Sequence, residues 1–150
     1  INLHFMEFSM LKGSFIGIHK IMGSLLLILV FFRLIWRFYN SKPSNKDVPL
    51  MHTVVSKIVH VILYVLMIWI PIQGMLLTWT GGYDVSILGL FNLPRLVEEN
   101  LMMYDQFKNF HYYFALLLTF TFIIHLSAGL YHRFIAGDKY GIWKRMSFKK

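Results

Sequence analysis

Five of the seven histidines lie within or at the edges of long apolar segments, where an ionisable side chain is costly and is therefore a candidate for function. Imidazole binds transition metals and relays protons near neutral pH. The chain has no cysteine, which excludes thiolate metal sites, iron–sulfur clusters and covalently attached c-type haem. Histidine ligation is therefore the chemistry to weigh, against the alternative that each histidine is a hydrogen-bonded residue at the membrane interface. The five are His19, His60, His111, His125 and His132.

The spacing of His111 and His125 carries most of the information. The two are 14 residues apart, which in an α-helix leaves them about 40° from alignment and about 21 Å apart along the axis. They therefore face the same way at two depths. Two b-type haems stacked across a bilayer need this arrangement, because each iron takes one imidazole from each of two neighbouring helices.

Depth in the membrane suggests the partners. His19 lies near the outer end of the first apolar segment and His111 near the outer end of the third, so they are the predicted axial pair of an outer haem. His125 needs a partner in the inner half. Within the chain His60 is at a comparable depth, and a helix upstream of Ile1 would serve equally well. The residues alone leave both alternatives open.

Two residues on the same face as His19 also suit a haem. Gly23 lies one turn beyond His19 and would let a flat macrocycle approach the backbone; the alternative is that it mediates close helix packing. Arg33 lies 14 residues beyond His19, at the inner end of that face. It either neutralises a haem propionate or extends to the lipid headgroups.

Three apolar segments position these residues. They run over about 15–36, 54–79 and 110–135, and Pro71 and Gly74 interrupt the second. Each meets the roughly 20 residues that a helix needs to cross a bilayer core of about 30 Å. A chain that is 57% hydrophobic and only 15% charged is not an ordinary soluble domain. We therefore predict an all-α transmembrane helical bundle that forms a single membrane domain over residues 1–150.

The distribution of charge predicts the orientation. Of the 15 basic residues, 11 lie in or beside the segment joining the first two spans or in the C-terminal tail, where only Asp47 and Asp138 oppose them. The other side has four basic and five acidic residues. The positive-inside rule then places the C-terminus in the cytoplasm. We expect an integral protein of the bacterial inner membrane. The net charge of +8 therefore requires no nucleic acid, and membrane lipid surrounds the spans.

The whole chain resembles the prokaryotic cytochrome b561 family, the four-helix di-haem membrane cytochromes whose architecture the cytochrome b subunits of nickel–iron hydrogenases share. The resemblance implies haem b as cofactor, two per full-length protein, with His19 and His111 binding the outer haem and His125 the inner one. The matching stretches are IGIHKIMG at 16–23 running to Arg33 and Arg37; KIVH at 57–60 followed by Leu63, Tyr64, Pro71 and Gly74; FKNFH at 107–111; and His125 through Tyr131 and His132.

The chain departs from the family at its start. In the family a first helix carries a histidine near its cytoplasmic end, which pairs with the residue corresponding to His125. We expect this chain to lack that helix, since it starts at Ile1 rather than Met. The outer site is then complete in this chain, the inner site is half complete, and His60 is not an axial ligand.

The resemblance further implies transmembrane electron transfer, with quinone exchanging electrons near the inner haem. His132 lies seven residues past His125 and about 20° off its face, at the cytoplasmic headgroups. Lys57 and His60 approach that level from the second span, so these three are the candidate quinone site. The alternative for His132, which precedes Arg133, is an interfacial cation.

The resemblance also suggests a donor protein or superoxide as the source of electrons. Some family members oxidise superoxide at the outer face and pass the electron to ubiquinone. In this chain three outer lysines would attract superoxide towards His19 and His111, although that side has no net positive charge. They are Lys12, Lys20 and Lys108.

The leading functional hypothesis is a quinone-linked di-haem cytochrome, and the alternative is the cytochrome b anchor subunit of a hydrogenase or dehydrogenase. The hydrophilic segments are short, the longest being Gly81–Asp105, which favours the first. A haem-free transport subunit would show internal repeats and paired broken helices, whereas only the Pro71 span is interrupted. A succinate dehydrogenase anchor needs one haem ligand, so the second ligand 14 residues away disfavours it.

Overall fold

The structure, a computed structural model, describes residues 2–40 and 49–135, and describes side chains from residue 11 onward. Its elements in chain order are α1 (Asn2–Tyr39), α2 (Leu50–Thr80), β1 (Val85–Ile87), β2 (Phe91–Leu93) and α3 (Leu101–Phe134). All three helices are long and apolar enough to cross a membrane. The predicted transmembrane helical bundle is therefore confirmed as the fold class. Below, the end where α2 leads into α3 is called the hairpin end, and the end where α1 leads into α2 the loop end.

The helices are longer than the apolar segments that predict them. α3 begins at Leu101, nine residues before the predicted span, because residues 101–109 contain no proline or glycine and Asn100 caps the helix. The Asn100 side-chain oxygen accepts a hydrogen bond from Met103 N at 3.0 Å, which satisfies one of the free N–H groups of the first turn. Hydropathy finds only the part of a helix that suits the membrane core.

Pro71 does not break α2. The sequence suggests an interruption there, but the helix is continuous from Leu50 to Thr80 and Pro71 is buried inside it. A proline removes one backbone hydrogen bond, and inside a membrane bundle the surrounding helices make that loss tolerable. Two threonines near the hairpin end of α2 satisfy their own hydroxyls within the helix, Thr78 to Gly74 O and Thr80 to Leu76 O, both at 2.9 Å.

α2 lies between the other two helices. It packs against both α1 and α3, whereas α1 and α3 do not meet backbone to backbone along the described residues. Most buried side chains of the described helices accordingly belong to α2, and none belongs to α3. The bundle therefore has a gap between α1 and α3, bordered on one side by α2.

A short β-hairpin forms within the connection between α2 and α3, which the sequence suggests only as a hydrophilic segment. β1 and β2 pair antiparallel with Ile87 opposite Phe91, and the turn contains Leu88 and Gly89 at φ values of 54° and 73°. The hairpin folds back on α1, where Ser24 Oγ accepts a hydrogen bond from Leu88 N at 3.0 Å. Asn100 N also donates to Thr80 O at 2.9 Å, which joins the start of α3 to the end of α2.

α2 and α3 face each other at positions separated by steps of about seven residues. Gly81 faces Tyr104, Gly74 faces His111, His60 faces His125 and His52 faces His132. Seven residues are close to two helical turns, so positions separated by seven or fourteen residues stay on one side of each helix. His52, eight residues before His60, is rotated about 80° from it. Of the five histidines singled out from the sequence, three lie on the α3 side of this α2–α3 seam: His111, His125 and His132. On α2, His60 and His52 lie opposite the last two of them.

Candidate functional site

His19 on α1 and His111 on α3 meet across the gap between their helices. Their ring centroids are 5.9 Å apart and the ring planes are at 82°. The backbones of the two helices do not approach each other in the described residues, so the two imidazoles are the groups that reach across the gap. The structure thus brings together the pair that the sequence predicts.

Gly74 of α2 forms the support behind His111. A Cβ atom built on Gly74 would lie 3.3 Å from Cε1 of His111 and 3.8 Å from its Nδ1, so only glycine leaves this space free. Nδ1 is buried. Nδ1 therefore lies against α2, and Nε2 is the ring nitrogen that a metal can reach from the gap.

The pair fits a metal held between two imidazoles. With metal–nitrogen bonds of about 2 Å, two imidazoles on opposite sides of one metal have ring centres roughly 6 Å apart. The separation of 5.9 Å between His19 and His111 matches that distance. A bis-histidine b-type haem needs about this spacing between its two imidazoles.

His125 faces His60 nearer the loop end. Their ring centroids are 5.1 Å apart with an interplanar angle of 68°. That separation is shorter than the roughly 6 Å expected for two imidazoles on opposite sides of one metal. The contact therefore matches the depth argument for these two residues, and its distance suits direct neighbours better than trans ligands.

The candidate quinone residues do not form one cluster. His132 faces His52, with ring centroids 6.0 Å apart, and His60 lies at the level of His125. The exposed Lys57 lies on α2 between these two levels. Of the three predicted residues, His132 is thus the one nearest the loop end.

Comparison with known proteins gives the family. The family model described as prokaryotic cytochrome b561 matches residues 1–149. The chain belongs to this family. It is 28% identical over 130 residues to cytochrome b561 homolog 2 of Escherichia coli (strain K12), covering 86% of this chain and 68% of that protein. It is 30% identical over 121 residues to cytochrome b561 homolog 1 of the same organism, covering 80% of this chain and 68% of that protein.

As a member of the prokaryotic cytochrome b561 family, the chain is an integral membrane b-type cytochrome in electron transfer, and the family implies haem b as its cofactor. The histidine pair across the α1–α3 gap is the arrangement in this cytochrome that suits such a cofactor. The individual ligands remain predictions, which are developed below.

Arg33 makes a contact that the sequence does not predict, since the two interpretations are a haem propionate or the lipid headgroups. Its Nε donates a hydrogen bond to the hydroxyl of Tyr64 on α2 at 2.9 Å, and the Arg37 guanidinium lies 5.4 Å from the centre of the same ring. Both guanidiniums of this b561-family chain thus converge on Tyr64, one turn from His60. The interaction ties α1 to α2 near the loop end and holds two positive charges there.

Gly23 and the predicted outer lysines lie around His19. A Cβ on Gly23 would meet nothing within 4 Å, so this face of α1 is open, as a macrocycle approaching the helix would require. Lys12 lines an open apolar groove beside His19, and Lys20 lies over the Tyr83 ring at 6.0 Å from its centre. Lys108 is exposed on α3, three residues before His111.

Several basic residues behind the predicted orientation lie outside the described residues. They are Lys42, Lys46, Lys139, Lys144, Arg145, Lys149 and Lys150, and the acidic residues opposing them, Asp47 and Asp138, do so as well. The cytoplasmic location of the C-terminus therefore stays a prediction from charge.

Sequence reasoning missed His52 and Tyr64 as parts of these clusters. His52 lies eight residues before His60, a spacing that rotates it about 80° on a helix, so α2 alone gave no reason to pair them. The signal was in the two helices together: α2 and α3 run antiparallel, so the partner of His132 must precede His60 by about the seven residues that separate His132 from His125.

Proposed function

We propose that this cytochrome holds a b-type haem between His19 and His111 and passes electrons across the membrane to or from quinone. The observation that carries the proposal is the approach of the two rings to 5.9 Å across the α1–α3 gap. Haem supplies a reversible one-electron change at its iron. The protein's residues supply the position, the two nitrogen ligands and the surrounding polarity.

The two histidines suit electron transfer rather than binding of a small substrate at the metal. His19 and His111 would each supply one nitrogen ligand to a bound haem iron, which suits electron transfer better than binding of an added ligand. Because Gly74 has no side chain, the His111 ring packs with Nδ1 against α2. This packing directs Nε2 towards the gap. On α1 the open face at Gly23 leaves room beside His19 for a planar group.

A second haem near the loop end is part of the proposal. His125 lies 14 residues from His111 on the same side of α3, so a ligand there is about 21 Å further along the helix. Its neighbour is His60, with the two ring centroids 5.1 Å apart. We propose that His125 is one ligand of this haem. The opposite ligand would be the histidine that the family carries near the cytoplasmic end of its first helix, and His60 contacts His125 from α2.

Quinone is proposed to exchange electrons at the loop end. Reduction of a quinone needs hydrogen-bond donors at its carbonyl oxygens and a source of protons, and a histidine at the membrane surface supplies both. His132, half-buried near the end of α3, is the first candidate. Lys57 and His60 on α2 are the flanking candidates.

At the hairpin end the proposed electron donor is superoxide or a donor protein. Lys12 and Lys20 lie close to His19 on α1 and would attract an anion to that end of the pair. The hairpin packs back on α1 instead of projecting, so this connection offers little surface for holding a large partner. This supports a cytochrome that works by itself over an anchor subunit of a hydrogenase or dehydrogenase.

The test of the haem site is optical. Purified protein, reduced with dithionite and compared with its oxidised form, should show a b-type α band, with haem quantified per chain. His19→Ala and His111→Ala should each remove one haem per chain, while His4→Ala, a histidine near the start of α1, should keep the full content. An unchanged spectrum in His111→Ala would exclude the pair as a haem site.

The test of the quinone site is kinetic. Because a positioned acid or base contributes about 10² to 10⁴ in rate, His132→Ala should slow electron exchange with a water-soluble quinone by at least about a hundredfold. Its haem spectrum should stay that of the unmodified protein. A normal quinone rate in this variant would remove His132 from the site without affecting the haem assignment.

A further inference from the structure

A third histidine pair lies at the loop end of the α2–α3 seam. His52, on the first turn of α2, and His132, on the last turn of α3, have ring centroids 6.0 Å apart and ring planes at 79°. They come from different helices, so their approach does not follow from spacing within one helix. Neither belongs to the predicted haem ligands.

The register of the seam accounts for the approach. Starting from the contact between His60 and His125, eight residues towards the start of α2 reach His52 and seven towards the end of α3 reach His132. These steps correspond to rises of about 12 Å and about 10.5 Å, so the two rings arrive at nearly the same level. The pair is thus held by the packing of two long helices.

The distance between the rings suits a shared metal. Two imidazoles bound to one first-row metal at about 2.0–2.1 Å have ring centres roughly 5–6.5 Å apart, depending on the angle at the metal. The observed 6.0 Å lies within that range. In the described part of the chain no third His, Cys, Asp or Glu joins such a cluster, so water would complete the coordination.

The position favours an exchangeable metal ion. His52 is exposed and His132 is half-buried, so an ion would reach them from water instead of through the bundle. Lys57 is five residues from His52, which places it about 140° round the helix. Nitrogen ligands with water in the remaining positions suit Cu²⁺, Ni²⁺ and Zn²⁺, with Cu²⁺ bound most tightly.

We propose that His52 and His132 form a binding site for a divalent first-row transition metal at the loop end. The site binds one ion per chain through one imidazole nitrogen of each histidine. It goes beyond the proposed electron-transfer function and shares only His132 with it. A metal bound there occupies the imidazole that the proposed quinone site uses, so the ion would also slow quinone exchange.

The test is metal binding to the haem-loaded, detergent-solubilised protein, without a histidine tag. Cu²⁺ alone is titrated and followed by electron paramagnetic resonance, and Zn²⁺ alone by calorimetry. We expect one Cu²⁺ per chain with nitrogen hyperfine structure. His52→Ala and His132→Ala should each weaken binding at least about tenfold, the lower bound for losing even an outer-shell partner.

His4→Ala is the matched control, since it removes a histidine from the opposite end of the bundle, and it should leave metal affinity unchanged. Metal affinity that is unchanged in both His52→Ala and His132→Ala, or equally lost in His4→Ala, overturns the proposal. The haem spectrum of each variant is recorded in the same samples. Loss of metal binding with a normal haem spectrum supports the site even if His132 proves to have no part in quinone exchange.

Discussion

A single missing side chain determines where His111 can lie. The imidazole contacts the α2 backbone at Gly74, and a methyl group there would lie 3.3 Å from Cε1. The facing position at the next level of the seam, His60 opposite His125, carries a full side chain instead. His111 therefore packs against the α2 backbone and still meets His19, whereas His125 meets a side chain of α2.

Substitution of Gly74 tests this support. Gly74→Ala should displace the His111 ring by a few tenths of an ångström and shift the haem absorption or midpoint potential, because the ligand's orientation tunes the metal. Gly74→Val, which adds two more methyl groups, should lower haem content. The measurements are a redox titration and haem per chain.

Gly13→Ala is the control for Gly74, because a Cβ at Gly13 meets nothing within 4 Å. Its potential and haem content should equal those of the unmodified protein. If Gly74→Val has the haem content and midpoint potential of the unmodified protein, the close approach of Gly74 to His111 does not affect haem binding.

At the scale of elements, the sequence predicts what one helix determines and fails where two elements must be combined. The 14-residue spacing of His111 and His125 places them on one side of α3 without knowledge of the fold. The pairing of His52 with His132 depends on the register between α2 and α3, which is set by packing along the seam and by their connection. The sequence does not predict the β-hairpin, because its strands have three residues each, too few for a periodic pattern.

The hairpin depends on one hydroxyl of α1. Ser24 is buried; its Oγ accepts from Leu88 N at 3.0 Å and donates to Ile21 O at 2.9 Å. Leu88 has a positive φ of 54°, which is uncommon for a residue with a side chain, so the turn needs support. We therefore treat Ser24 as the anchor of the hairpin.

Ser24→Ala should release the hairpin from α1. Loss of the hydrogen bond leaves the half-buried Leu88 N–H without this partner, at a cost of about 1 kcal/mol. We expect faster hydrogen exchange across residues 85–93, measured by mass spectrometry. Thr119→Ala is the control, because that hydroxyl only bonds Ala115 O of its own helix. Equal exchange rates in the two variants would contradict the anchor role.

At the scale of the whole molecule, the three helices are held together through α2. α1 contacts α2 and β1, α3 contacts α2, and the described backbones of α1 and α3 do not approach each other. The histidine pairs and the Arg33–Tyr64 hydrogen bond are distributed from one end to the other. The direction of electron transfer across the membrane therefore depends on which end of the bundle faces the cytoplasm.

Cysteine labelling tests that orientation directly, because the chain has no cysteine of its own. Asn92→Cys lies at the hairpin end and Asn40→Cys at the loop end, and both positions are exposed. A membrane-impermeant maleimide added to intact bacterial spheroplasts should label Asn92→Cys alone, and Asn40→Cys only after lysis. The reverse pattern would show that the C-terminus faces outward.

The gap between α1 and α3 also bears on biogenesis. All three helices can insert, and α2 and α3 can align along their seam, before any prosthetic group arrives, because no group separates those two helices. His19 and His111 then face each other across the gap between the backbones of α1 and α3. A haem that entered between α1 and α3 from the lipid and was bound by both imidazoles would join two helices whose backbones do not otherwise approach each other, so cofactor loading would be the closing step of assembly.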